Sequence, residues 1–193
     1  METAMKYKLV QVLAVAVVLN GCATMPPLHK AALRGDSEEV TRLVESGLTV
    51  DTEDNRGDTA LMYAASANEP AILKYLLSKG ANIGGTRRSY KAIHAAAANG
   101  NKHIVELLVE NGADVNESSG YLGTPLHVAA YGFVGTPPPR AELDYPGTVL
   151  LLITLGADIN QRAHSVFSAT PLQVARDRNA DEVVRVLQEH GGK

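Results

Sequence analysis

Apolar residues recur along the chain in two alternating patterns, and both favour short helices. The first pattern pairs neighbouring apolar residues at spacings of three to four positions, which is typical of one buried helix stripe. It occurs as Val40/Leu43/Val44, Ile72/Leu73/Leu76/Leu77, Ile104/Val105/Leu108/Val109, Val149/Leu152/Ile153 and Val183/Val184/Leu187. Each copy is closed by a glycine, at Gly47, Gly80, Gly112, Gly156 and Gly191. Because glycine readily takes the left-handed conformation that ends a helix, each copy predicts a helix with a glycine cap.

The second pattern lies ahead of the first in each unit and predicts a second, shorter helix. Its copies are residues 26–32, 59–65, 91–97, 124–130 and 170–175. Thr124 followed by Pro125 is typical of a helix start, and the pair Ala129-Ala130 allows a neighbouring helix to approach closely. Each unit is thus helix, turn, helix, glycine and an extended loop. Since no unit buries its apolar stripe alone, the units are expected to stack.

The repeated blocks resemble the ankyrin repeat. The signature Thr-Pro-Leu-His-x-Ala stands at residues 124–129, and Gly-Ala-Asp-Val-Asn and Gly-Ala-Asp-Ile-Asn stand at residues 112–116 and 156–160. The resemblance covers residues 28–192 and implies an all-α solenoid of about five helix-turn-helix repeats with hairpin-like loops. The repeats are predicted at about 26–55, 56–87, 88–120, 121–166 and 167–192. Polar Arg176 and Gln188 replace apolar residues of the middle repeats, which is typical of a terminal capping repeat.

The first twenty-two residues have the layout of a signal peptide. Lys6 and Lys8 precede the apolar stretch 9–19, which would span roughly 16 Å as a helix and is too short to cross a membrane. Residues 19–22, Leu-Asn-Gly-Cys, resemble the lipobox of bacterial lipoproteins. The resemblance implies lipidation of Cys22, so we predict a signal peptide over 1–21 and a tether over 22–27. The expected location is the periplasm, and Ala23 favours the outer over the inner membrane.

Composition and charge exclude several classes of function. The chain has 193 residues, and its 18 Lys+Arg against 21 Asp+Glu leave a net charge of −3, which disfavours nucleic acid as a partner. A single cysteine excludes an intramolecular disulfide and a thiolate zinc cluster. No catalytic motif occurs. We therefore expect no enzymatic activity, cofactor or metal, a protein partner, membrane contact through the lipid alone, and a monomer when free.

Three histidines at one repeat position could otherwise suggest a metal site or a general base. For His29, His94 and His127 the ankyrin resemblance implies instead that each imidazole forms a hydrogen bond to a neighbouring loop. An enzyme alternative, hydrolysis in the loop around His164 with a nearby carboxylate, depends on spatial proximity that the sequence does not give. No repeat motif supports that alternative.

An acidic cluster lies in the loop after the first repeat. Its members are Asp51, Glu53, Asp54 and Asp58. The spacing lacks the glycine and the closing glutamate of a calcium loop, so a solvated hairpin tip is the favoured interpretation.

The fourth repeat carries an insertion. From Thr124 to Gly156 is 32 residues, against 21 from Thr59 to Gly80, so about 11 residues have been added within about 132–147. Rigid aromatic residues on loops are typical of binding surfaces. The predicted partner contacts are therefore Tyr121, Tyr131, Phe133, Arg140, Tyr145 and Phe167, with Arg87, Arg88 and Tyr90 at a second loop tip. Two alternatives stay open: Phe133 and Tyr145 fold back over the fourth repeat, and the second tip is simply solvated.

These observations favour a lipid-anchored periplasmic protein that binds another protein through loop tips and a concave face. Two narrower roles compete with this one. One is an immunity protein or inhibitor of a periplasmic toxin enzyme, and the other is a scaffold that supports an envelope or oxidative-stress enzyme.

Overall fold

The computed structural model describes residues 25–85, 90–120, 122–132, 144–163 and 168–193. Several predicted site residues lie outside these ranges, together with His164. They are Cys22, Arg87, Arg88, Tyr121, Phe133, Arg140 and Phe167. Within the ranges the regular structure is helical, apart from one antiparallel bridge between Glu53 and Thr59.

The described residues form ten helices in five pairs, as the two alternating patterns predict. The first, inner helix of each pair is α1 (Pro27–Arg34), α3 (Ala60–Ala67), α5 (Ala92–Ala98), α7 (Pro125–Tyr131) or α9 (Pro171–Asp177). The second, outer helix is α2 (Ser37–Glu45), α4 (Pro70–Ser78), α6 (Lys102–Glu110), α8 (Tyr145–Thr154) or α10 (Asp181–Glu189). The prediction of an all-α repeat solenoid is confirmed.

The inner helices stack directly on one another, in the order α1, α3, α5, α7, α9. Alanines make this possible, because they place no long side chain between neighbouring inner helices. The fully buried ones include Ala32, Ala64, Ala96, Ala129 and Ala175. The outer helices of the first four repeats contact each other much less. Closer packing on the inner side bends the array toward the inner helices, which therefore form its concave side.

One hydrophobic core runs through all five repeats. Its largest fully buried side chains are Leu28, Leu61, Ile72, Leu73, Leu76, Ile93, Ile104, Leu108, Leu126, Leu152, Leu172 and Leu187. Every repeat contributes to this set, so each repeat covers the apolar stripe of its neighbours. At the C-terminal end, Arg176 and Gln188 are exposed, as expected for a capping repeat.

The glycines that follow the outer helices end them as predicted. Gly112 and Gly156 have φ values of 95° and 96°, in the left-handed region that favours glycine. The next backbone N–H then turns back onto the helix: Ala113 donates to the Leu108 carbonyl and Ala157 to that of Leu152, both at 2.9 Å. These bonds satisfy carbonyls that the helix itself leaves without partners.

Asparagines after these glycines join successive loops. Asn116 donates through Nδ2 to the Gly156 carbonyl at 3.1 Å, and its Oδ1 accepts from the Asp158 N–H at 2.8 Å. Asn160 makes the same pair of bonds to the last residues of the chain. The equivalent residue of the second repeat is Gly84, which has no side chain to do so. The joint between the second and third repeats therefore lacks this link.

Two helices begin inside ranges that the sequence analysis assigns to the tether and to the insertion. Helix α1 begins at Pro27, and Met25 packs against the core, so both fall within the range assigned to the tether. Helix α8 begins at Tyr145, inside the predicted insertion, because Asp144 caps it by accepting from the Gly147 N–H at 2.7 Å.

None of the helices in the described ranges is long and apolar enough to cross a membrane.

Candidate functional site

At one repeat position every inner helix has a side chain that is exposed or half-buried. These five residues, here called the concave row, are Leu33, Ser66, Ala98, Tyr131 and Asp177. Leu33 and Asp177 at the two ends are exposed, and the three central residues are half-buried. Since each inner helix is held by the core on its opposite side, the row is a rigid line of side chains that faces outward from the concave side.

The concave row is uncharged over most of its length. Ser66 and Ala98 are small, and the Ser66 hydroxyl accepts from the Asn99 amide at 3.1 Å. Tyr131 is covered on one ring face by the Arg178 guanidinium, whose central carbon lies 4.5 Å from the ring centroid. A smooth, uncharged centre with polar groups at its edge is the arrangement that protein-binding surfaces use.

The loop that joins an outer helix to the next inner helix is here called a finger. The first finger is built around Asp54, whose Oδ1 accepts from the N–H groups of Arg56 and Asp58 at 2.8 and 2.9 Å. The Tyr63 hydroxyl donates to Asp54 Oδ2 at 2.8 Å. Burial opposes ionisation of Asp54, but these hydrogen bonds outweigh it and hold the carboxyl pKa below its usual value.

Residues of the acidic cluster therefore stabilise the conformation of this finger. Besides the turn formed by Asp54, the Asp51 Oδ1 accepts from the Asn82 N–H at 2.8 Å and joins the first two fingers. Among the residues that the structure describes, no three His, Cys, Asp or Glu side chains gather as a metal site.

The three repeat histidines hold the fingers in place, as the resemblance implies. The Nε2 atoms of His29, His94 and His127 lie 3.0 to 3.1 Å from the carbonyls of Asp58, Glu117 and Ala169. These three imidazoles are buried, and burial lowers the pKa of each. Each imidazole thus binds the backbone of a neighbouring loop and positions that loop.

The hydrogen-bond partners of His94 determine which of its ring nitrogens carries the proton. Its Nδ1 accepts from the Lys91 N–H at 3.1 Å, so the ring proton lies on Nε2 and is donated to Glu117. His127 has the same arrangement with the Thr124 N–H, at 3.2 Å. In the first repeat the corresponding residue is Pro26, which has no N–H to donate.

Three of the predicted partner contacts lie in the described ranges. Tyr131 is on the concave row, and Tyr145 is the first residue of α8, half-buried against the core rather than on a loop. Both line a groove between the fourth and fifth repeats. Tyr90 lies elsewhere, stacked on His94 with ring centroids 5.3 Å apart. The structure thus brings Tyr131 and Tyr145 together and separates Tyr90 from them.

Sequence reasoning missed the small members of the concave row and an ion pair beside the insertion. Ser66 and Ala98 are unremarkable residue types, and only their shared repeat position marks them. The Lys102 ammonium lies 2.7 Å from Asp144 Oδ2 and thereby joins the starts of α6 and α8. Each of the two partners is more than a third exposed, so the pair positions the helix start more than it stabilises the fold.

Comparison with known proteins agrees with this architecture. A profile described as "Ankyrin repeats (3 copies)" matches residues 1–87, and one described as "Ankyrin repeats (many copies)" matches residues 93–132. Together they cover more than half of the chain, so the chain belongs to the ankyrin repeat family. Ankyrin repeats are modules of protein–protein interaction and are generally not enzymes.

Similar proteins include two of the type named "Ankyrin repeat, SAM and basic leucine zipper domain-containing protein 1". That of Neofelis nebulosa is 38% identical over 106 residues, 52% of this chain and 22% of its own length. That of Dasypus novemcinctus is 32% identical over 134 residues, 67% of this chain and 26% of its own length. Alpha-latrotoxin-Lg1a of Latrodectus geometricus is 36% identical over 118 residues, 56% of this chain and 9% of its own length. The chain therefore spans about a quarter or less of these relatives.

Proposed function

We propose that this chain captures one protein partner through the concave row and the finger loops beside it. The observation that carries the proposal is the row itself: a line of partly exposed side chains, uncharged except for Asp177 at one end and fixed by a buried core. Side chains that are already ordered lose little entropy when a partner covers them, which favours binding at such a surface. Phe133, Arg140 and the other insertion residues are proposed as further contacts at its C-terminal end.

Two arginines in the centre of the row are expected to abolish capture. The double variant Ser66→Arg/Ala98→Arg places two long, charged side chains where the partner would lie. We expect recovery of the partner to fall at least tenfold, which corresponds to a loss of about 1.4 kcal/mol or more in binding free energy. The measurement is affinity capture from crosslinked cell envelope, with the captured protein quantified by mass spectrometry.

The chain offers a matched control on its convex side. Ala71 and Ser78 lie exposed on the outer helix α4, and Ala71→Arg/Ser78→Arg makes the same two chemical changes. The control variant is expected to capture the partner like the unaltered chain, and both variants are expected to melt cooperatively. Loss of capture in the control, with retention in the row variant, would place the binding surface on the convex side and refute the proposal.

We further propose that Cys22 carries a lipid and holds the protein at a membrane facing the periplasm, with the outer membrane favoured. The support is the apolar stretch that ends at the single cysteine of the chain. Cells fed an alkynyl palmitate analogue should label the unaltered chain, which should sediment with membranes. Cys22→Ser should abolish the labelling and release the protein. An unlabelled wild-type chain would contradict the lipid anchor.

The inhibitor and scaffold roles predict opposite effects on a captured enzyme. If the partner is a toxic enzyme, adding the purified ankyrin domain should suppress its turnover. If the partner is an enzyme of the envelope or of the oxidative-stress response, deletion of this protein should lower that activity. The comparison requires only the partner that the capture experiment recovers.

A further inference from the structure

The joint between the second and third repeats, here called joint 2–3, differs from the other joints on its finger side. At the other three joints the described residues include a side-chain bond that leads on from one finger. Asn116 bonds the next finger, Asn160 bonds the last residues of the chain, and Asp51 accepts from the Asn82 N–H. In joint 2–3 the equivalent residue is Gly84, and a glycine has no side chain that could form this bond.

The second finger also lacks the histidine that positions other fingers. At the repeat position of His29, His94 and His127 the second repeat has Met62, which is buried. A thioether has no N–H to donate to a loop carbonyl. The second finger therefore lacks both of the side-chain bonds that position the third and fourth fingers.

The opposite end of joint 2–3 is joined by two amides. Asn101, the residue before helix α6, is buried and donates through Nδ2 to the carbonyls of Ala65 and Ser66 at 2.9 and 3.2 Å. These carbonyls lie at the end of α3, where a helix has no internal donors for them. Asn99 donates through Nδ2 to the Ser66 hydroxyl at 3.1 Å. Since α6 has 9 residues, this end of the joint lies roughly 13 Å from the finger end.

We infer that joint 2–3 is a hinge, which pivots at the amides of Asn99 and Asn101 and lets the second and third fingers move apart. The pivot lies beside the concave row, because Ser66 and Ala98 are at the ends of α3 and α5. The spacing of these two row residues is therefore kept while the distance between the two fingers changes. Such a hinge adapts the finger side of the array to partners of different width. The motion belongs to the free chain, so the inference does not depend on the proposed function.

The variant that tests the hinge is Gly84→Asn, which supplies the missing side chain. The backbone already suits asparagine, because the Gly84 N–H donates to Asn82 Oδ1 at 3.0 Å, as the Asn160 N–H does to Asp158 Oδ1 at 3.0 Å. Gly84 also lies outside the left-handed region that requires glycine. The new amide should bond the third finger as Asn116 bonds the fourth. Gly84→Ala is the matched control, since it adds a Cβ atom without an amide.

Distances between spin labels measure the motion. The label pairs are 45/110 and 110/189, which use Glu45, Glu110 and Glu189, the exposed last residues of α2, α6 and α10. Each pair spans two joints, and only the pair 45/110 spans joint 2–3. These residues are replaced by cysteine in the full chain carrying Cys22→Ser, and the distances are measured by double electron–electron resonance.

We expect the distance distribution of the pair 45/110 to be about twice as broad as that of the pair 110/189, since only the former spans the hinge. Gly84→Asn should narrow the 45/110 distribution to the width of the other, and Gly84→Ala should leave it broad. All variants are expected to melt cooperatively.

Three results would overturn the hinge. The first is equal widths for the two label pairs without a substitution at residue 84. The second is a 45/110 distribution that stays broad in a cooperatively folded Gly84→Asn variant. The third is equal narrowing by Gly84→Ala, because loss of glycine and not the finger-to-finger bond would then explain the effect.

Discussion

Replacing Leu126 by Ala is expected to lower the free energy of unfolding by about 3 kcal/mol, within the range of large-to-small substitutions in well-packed cores. Leu126 is fully buried on inner helix α7, which packs against inner helices on both sides and against its own outer helix. Truncation removes apolar contacts at a point where three elements meet, and close packing on all sides limits collapse of the cavity. Urea denaturation followed by circular dichroism measures the loss.

Leu150→Ala is the matched control, because it removes the same atoms from the same repeat. Leu150 is 42% exposed on outer helix α8, so its truncation should cost less than about 1 kcal/mol. Equal losses for Leu126→Ala and Leu150→Ala would contradict the assignment of the inner helices to a continuous core.

Acidification from pH 8 to pH 4 is expected to remove about 3 kcal/mol of stability through His94 alone. Burial lowers the pKa of His94 from 6.5 to about 4, against the opposing effect of its hydrogen bond to Glu117. The unfolded chain therefore binds a proton near pH 6.5, while the folded chain resists it down to about pH 4. The contribution is fully present above pH 6.5 and declines as the pH falls toward 4. His29 and His127, whose pKa values are also lowered, act in the same direction.

His94→Gln should flatten this dependence by about 3 kcal/mol between pH 8 and pH 4. Glutamine keeps one of the two hydrogen bonds, since in the fifth repeat Gln173 Oε1 accepts from the Thr170 N–H at 2.9 Å, as His94 Nδ1 does from the Lys91 N–H. At pH 8 the variant should still fold, with its stability lowered by about 1 kcal/mol because the bond to the Glu117 carbonyl is lost. Urea midpoints across the pH range measure both quantities. A pH profile unchanged by His94→Gln would show that this imidazole does not stay neutral in the fold.

Repetition explains why the sequence predicts the fold well. Each helix pair has the same apolar stripe, and each glycine cap recurs at the same position. A helix boundary that is ambiguous in one repeat can therefore be read from the equivalent residues of the other repeats. The structural role of His94 and His127 can be predicted in the same way. Their shared register indicates a repeated hydrogen bond before any contact is visible, and the bonds to Glu117 and Ala169 confirm it.

Surface features are harder to predict from the sequence, because they depend on small residues that no motif marks. Ala98, for example, matters only by its place in the concave row. Tyr145 was predicted on a loop because it lies beside prolines and glycines. The Asp144 cap and the ion pair with Lys102 place it on α8 instead. The partner contacts predicted at Phe133, Arg140 and Phe167 stay predictions.

Site-specific photocrosslinking in living cells shows whether the partner contacts the concave or the convex side of the helix stack. A photoreactive phenylalanine derivative is placed in turn at Ser66, Ala98, Ala71 and Ser78, and irradiated cells are analysed for adducts. Partner binding at the concave row predicts one shared adduct of the same mass from residues 66 and 98 and none from residues 71 and 78. Adducts from residues 71 and 78 with none from residues 66 and 98 would contradict it.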